Sequence, residues 1–199
     1  MLAFMAVSAF ASAQQAPAIY GIKSGIVTTE SEMMGQPMTQ IMYFDDFGRK
    51  QATVSDFGGM KIRMINVDGA QVMVNEEQGT ALRMGGGPGF GGRTQINFMN
   101  LTDEVVKANK IKEVGEDKIA GKTCKRYSIT IDMMGESMEQ VLSIYQGITM
   151  KSVMESPMGT MEQVVSKLEE NPTIPASMFT VPEGIEVQDF DPSMMGGGF

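Results

Sequence analysis

The sequence predicts a mainly β domain of the α+β kind: an antiparallel meander of about ten strands with one short helix. Three observations predict it. Apolar and polar residues alternate with period two along most of the chain, whereas the helical 3.6-residue period is nearly absent. Turn signals recur at roughly ten-residue intervals, the spacing of consecutive hairpins. One segment alone carries the marks of a helix start and stop.

Taken in order, Met42 and Phe44 precede the turn Asp45-Asp46-Phe47-Gly48. After Gly58-Gly59, Met60, Ile62 and Met64 share one side of a strand, with Lys61 and Arg63 on the other. Asp68-Gly69 leads into a strand in which Val72 and Val74 alternate with Gln71, Met73 and Asn75, and Gln78-Gly79 closes it. Ile96 and Phe98 alternate within an expected strand at Thr94–Met99. Thr102 caps the helix, Asp103 and Glu104 suit its positive end, and it stops near Lys110. Tyr127, Ile129 and Ile131 mark the next strand. Leu142 and Ile144 mark another, with apolar residues on both sides, and Gln146-Gly147 turns it back.

Composition removes several function classes. The chain has 199 residues, 42% apolar, enough for a single domain with its own core. Its formal charge of −8 repels phosphate backbones, so no nucleic-acid partner is expected. It contains no histidine, which removes the usual general base and the commonest zinc ligand. The acidic residues lie in turns or at exposed alternate positions, so no enzyme, cofactor or metal is expected. A close pair of carboxylates inside a deep cleft would reverse that reading. The single cysteine, Cys124, has no internal partner and reads as a small buried apolar residue.

Residues 1–14 form an uncharged apolar run ending in Ala-Ser-Ala, an expected export signal cleaved near Ala13. No cysteine follows it to carry a lipid, and no other segment has the ~20 apolar residues of a spanning helix. A soluble, unlipidated, monomeric protein of the periplasm or exterior is therefore expected. It comprises one domain over 15–190 and a flexible Met/Gly tail at 191–199. The run Gly85–Gly92 lacks the Lys-Ser/Thr of a phosphate loop. It reads as a mobile surface loop; the alternative is a flap over a ligand cavity, with Phe90 as its only apolar contact.

Methionine is abundant, at 21 residues. The segment MMGQPMTQIMYF at 33–44 is echoed by MMGESMEQVLSIY at 133–145. A soft Cu(I) site using Met34, Met38, Met134 and Met138 is one alternative. The favoured reading is a hairpin grammar used twice, with the other methionines dispersed as adaptable packing.

The stretch GEDKIAGKTC, Gly115–Cys124, and the closing PASMFTVPEG, Pro175–Gly184, resemble phrases of the LolA-like periplasmic lipoprotein-carrier superfamily and its envelope-protein relatives. The resemblance implies a strongly curved antiparallel sheet, a half-barrel, with the helix over its concave side. It also implies a hydrophobic ligand there: a small molecule, lipid or acylated protein. Alternation places Met42, Phe44, Met60, Ile62, Met64, Val72, Val74, Leu142 and Ile144 as the candidate lining. A filled concave face would instead make the domain a structural or interaction module of the envelope.

Overall fold

A computed structural model describes residues 17–33, 36–57, 60–67, 70–84, 96–133, 136–156 and 159–189. The leader at 1–14, the flap residue Phe90, Met34, Met134 and the tail lie outside the described residues, as does the side chain of Met60.

The described chain forms one sheet of twelve strands, two more than the alternation predicts. The first meander comprises β1 (Gly25–Met33), β2 (Gln36–Asp45), β3 (Lys50–Phe57), β4 (Met60–Val67), β5 (Ala70–Asn75) and β6 (Thr80–Met84). The helix α1 (Asp103–Ala108) follows. The second meander comprises β7 (Lys112–Ile119), β8 (Lys122–Met133), β9 (Glu136–Tyr145), β10 (Ile148–Ser156) and β11 (Gly159–Glu170). The strand β12 (Val187–Asp189) comes last. The spatial order is β12-β6-β5-β4-β3-β2-β1-β11-β10-β9-β8-β7, so the two meanders are joined side by side through β1 and β11. All pairs are antiparallel except β12, which adds to β6 in parallel.

The two Met-Met-Gly phrases are one hairpin used twice. Met33 pairs with Gln36 across the β1–β2 turn, and Met133 pairs with Glu136 across the β8–β9 turn. Each phrase then puts a glutamine at the same place on its second strand. Gln40 donates to the Ser55 hydroxyl at 3.0 Å, and Gln140 donates to the Ser152 hydroxyl at 2.7 Å.

The expected strand at 94–99 does not form over its described part: Ile96 and Phe98 lie in an irregular segment ahead of α1. Their alternation reflects packing against the sheet rather than membership of it. The helix begins as predicted, with the Thr102 hydroxyl accepting the Val105 N–H at 3.3 Å. It ends where Lys110 takes a left-handed conformation (φ 49°), and Ile111 turns back under it into the core.

A sheet without a second sheet to pack on makes its core where it curls. Tyr20, Ile22, Val27, Phe44, Ile148, Met150 and Val165 cluster there, with Cys124 fully buried among them. Phe44 is completely inaccessible, and the Tyr20 ring meets it edge-on at 4.6 Å between centroids. Residues 19–23 tie the meanders together. Ile19 and Tyr20 donate to the Phe47 carbonyl in the β2–β3 turn, and Gly21 donates to the Gln146 carbonyl in the β9–β10 turn.

Gly25 is required by this packing, because a Cβ there would collide with the Phe44 ring. Both neighbouring strands hold the Gly25 backbone, so it cannot withdraw. Gly25→Val is expected to destabilise the domain by about 2 kcal/mol, the usual scale of overpacking. Denaturant unfolding of the variant against the parent measures it.

Candidate functional site

Strand register sorts the side chains onto two faces. One face carries Val27 and Thr29 of β1, Gln40, Met42 and Phe44 of β2, and Gln51 and Thr53 of β3. It continues through Ile62, Met64 and Asn66 of β4 to Gln71 and Met73 of β5. In the second meander the same face carries Gln163, Ser152, Leu142 and Ile129. A single cleft of about 460 Å³ is lined from β5 around to β10 by residues of this face, which is therefore the concave one.

The opposite face is covered at the β3–β6 end by the segment after β11. Ile65, Val74 and Ala81 are buried there, with Val72, Val181, Ile185 and Val187 packed around them. Phe179, buried in a short 3-10 turn at Ala176–Phe179, belongs to the same segment.

The candidate lining residues divide accordingly. Met42, Phe44, Ile62, Met64, Leu142 and Ile144 lie on the concave face. Phe44 and Ile144 are buried core rather than open wall, and Leu142 is buried beneath α1, where it still borders a second cleft. Val72 and Val74 are a correction. The register Met64↔Met73 puts Met73 on the concave face and both valines on the covered one. Arg63, on the covered face as the alternation places it, is only 8% exposed. Its guanidinium donates to the carbonyls of Ser177 (2.8 Å) and Met178 (3.3 Å) and pairs with Glu76 at 2.7 Å. It thereby clamps the covering segment onto the sheet. Alternation alone does not reveal such a clamp, because a charged residue in a strand reads as solvent-facing.

That second cleft, of about 690 Å³, opens between the α1 segment and the concave face of β8 and β9. Ile96, Phe98 and Val105 form its roof, and Ile129, Ile131 and Leu142 its floor. The roof is held down by polar ties at its ends. Thr130 donates its N–H to the Asn109 carbonyl at 3.0 Å, and the Asn97 carboxamide donates to the Ala18 carbonyl at 2.7 Å. Thr149 lines both clefts, which therefore adjoin. Asn97, Asn100, Asn109, Thr130, Gln140 and Thr149 also border the second cleft, around the apolar roof and floor. The first cleft has fewer apolar residues: carboxamides and hydroxyls stand on a floor of Val27, Met42 and Met150. Among the described residues, neither cleft is lined by an Asp or Glu. Among the same residues no cluster of His, Cys, Asp or Glu has the makings of a metal site. Met38 and Met138 stand on β2 and β9, separated by β1, β11 and β10.

Near the start of β8, Lys122 pairs with Glu170 on β11 at 2.7 Å, and its ammonium lies 5.4 Å from the Tyr145 ring centre. The hydrogen bond to Lys122 lowers the Glu170 pKa, and the same bond raises that of Lys122. Burial raises the Tyr145 and Cys124 pKa values.

The described residues form an open, curved sheet with a helix over its concave face, the architecture that the resemblance to the LolA-like superfamily implies. Solved structures share this fold. The chain is similar to MucB of Pseudomonas aeruginosa in its complex with MucA, with 14% identity and a TM-score of 0.57 over 86% of this chain and 59% of that one. It is similar to a further structure of MucB with MucA(peri), at 15% identity and TM-score 0.52, over 83% of this chain and 56% of that one. An uncharacterized conserved protein of Thermus thermophilus matches with 8% identity and TM-score 0.56, over 85% and 92% of the two chains. The chain thus spans under two-thirds of the MucB chains it matches. No protein-family model and no curated protein sequence matches it.

Glu170 has a depressed folded pKa, so its contribution to stability is present above the ordinary carboxylate range and is lost as pH falls through the depressed value. Urea midpoints of the parent and of Glu170→Gln are expected to differ at pH 7 and to converge on acidification. A difference that persists in strong acid is not expected from this pair.

Proposed function

We propose that this protein is an exported, non-enzymatic envelope protein that binds a hydrophobic ligand, an acyl chain of a lipid or of an acylated protein, in the cleft beneath α1. The observation that carries the proposal is the cleft of about 690 Å³ walled by Ile96, Phe98, Val105, Ile129, Ile131 and Leu142. Its volume lies within the ~300–1,000 Å³ of small-molecule sites, and such sites are mostly apolar with few polar groups. Burying one methylene there contributes ~0.8 kcal/mol, so a chain of several methylenes is held without any charged anchor. The roof is a short helix with no fully buried residue, tied to the sheet mainly at its ends.

The leader-like run at 1–14 supports export. No helix among the described residues is long and apolar enough to cross a membrane. The absence of histidine from the sequence, together with clefts that no described carboxylate lines, supports binding rather than catalysis.

Native mass spectrometry of protein isolated from a cell envelope is expected to reveal a co-purified lipid. In solution, cis-parinaric acid is expected to bind saturably. Phe98→Ala and Ile131→Thr, which open and wet the cleft, should each weaken binding roughly tenfold, a change of about 1.4 kcal/mol. A parent protein that carries no lipid and gives no saturable signal overturns the proposal and leaves a structural module of the envelope.

A further inference from the structure

The cleft of about 460 Å³ between β1 and β10 needs a different occupant, because its lining is not apolar. Register aligns the side chains of the cleft in rows that cross the strands, and Ser55, Met64 and Met73, beyond its lining, continue those rows on the same face. The central row runs Val27–Met42–Thr53–Met64–Met73 over five consecutive strands. On one side of it stands the row Gln51–Asn66–Gln71. On the other stands Thr29–Gln40–Ser55. Each flanking row is two residues along the strand from the centre, ~6.7 Å away.

We propose that this trough is a docking groove for an extended polypeptide segment whose alternate residues are apolar. An extended chain points every second side chain to one side and projects its N–H and C=O groups laterally. Laid along the central row, it sends apolar side chains down onto the methionines and its main-chain groups out to the flanking rows. A carboxamide both donates and accepts, so it answers either main-chain group. The side chains of Asn66 and Gln71 make no hydrogen bond among the described residues. Five strands span ~19 Å at ~4.8 Å each, the length of about six extended residues. Methionine adapts to varied apolar shapes, so the groove reads alternation more than a particular sequence.

Charge narrows the occupant further. Among the described residues no carboxylate lines the trough, and the one cation there, Lys151, is paired with Glu162 at 3.1 Å. The inward side of the segment is therefore uncharged. The chain's net charge of −8 favours basic residues at its flanks. A saccharide fits less well, since the one described ring of the trough, Tyr20, is only 3% exposed and offers no stacking face.

The test is a fluorescence-anisotropy titration of the whole protein with a labelled peptide of three Leu-Ser repeats flanked by lysine pairs. Saturable binding is expected. Asn66→Ala combined with Gln71→Ala, and separately Met64→Glu, should each weaken it roughly tenfold. Met64 is 36% exposed, so thermal unfolding of that variant should stay near the parent's. Phe98→Ala, which weakens the α1 cleft, should leave peptide binding unchanged, so the two sites fail independently. A peptide N-methylated along its backbone should not bind. Four outcomes overturn the proposal: no saturation at millimolar peptide, equal binding of the N-methylated peptide, loss of binding in Phe98→Ala as large as in the trough variants, or displacement by maltoheptaose.

Discussion

The structure depends on one packing constraint: Phe44 must sit over Gly25 with Tyr20 against its edge. A twelve-stranded sheet is far too long to be stabilised as a flat layer, and no second sheet among the described residues backs it. Curling brings apolar residues of both meanders together, and residues 19–23 fill the bend while hydrogen-bonding a turn from each. The missing Cβ at Gly25 lets the bend be tight, and the concave face follows from it. Both clefts are by-products of that curl.

The two faces also differ in chemistry. The covered face is built from β-branched and small residues, Ile65, Val72, Val74 and Ala81, which pack with few rotamers. The concave face carries methionine, glutamine, asparagine and threonine at the equivalent positions. Stability is thus concentrated on one side of β3–β6, where Arg63 fastens the chain's own C-terminal segment. The other side carries the open cleft.

Much of the architecture was legible in the sequence because it rests on local signals. The hairpin turns, the Thr102 cap and the repeated Met-Met-Gly phrase each depend on a few neighbouring residues. Alternation likewise brought Met42, Phe44, Ile62 and Met64 to one face, since each strand is internally regular. Relating one strand's face to another's needs the pairing across turns, and there the reasoning failed. Val72 and Val74 looked like cavity wall for being apolar, yet the two-residue connection between Val67 and Ala70 aligns Met73 with Met64 instead. The Arg63 clamp was not legible for a related reason: the carbonyls it holds are more than a hundred residues away. The apolar roof at Ile96 and Phe98 was visible only as alternation, which does not distinguish a strand from a segment lying on one.

The ends of the sheet bear on how this molecule behaves in a crowded compartment. An open sheet has two free margins, and each is a template for adding another chain. On one margin β12 contributes only three residues, in parallel, with the exposed Asp189–Arg83 pair beside it. On the other, β7 is broken by a bulge at Val114 and studded with Lys112, Glu113, Glu116 and Lys118. Among the described residues neither margin offers a long, flat ladder, which disfavours sheet-to-sheet polymerisation at both ends.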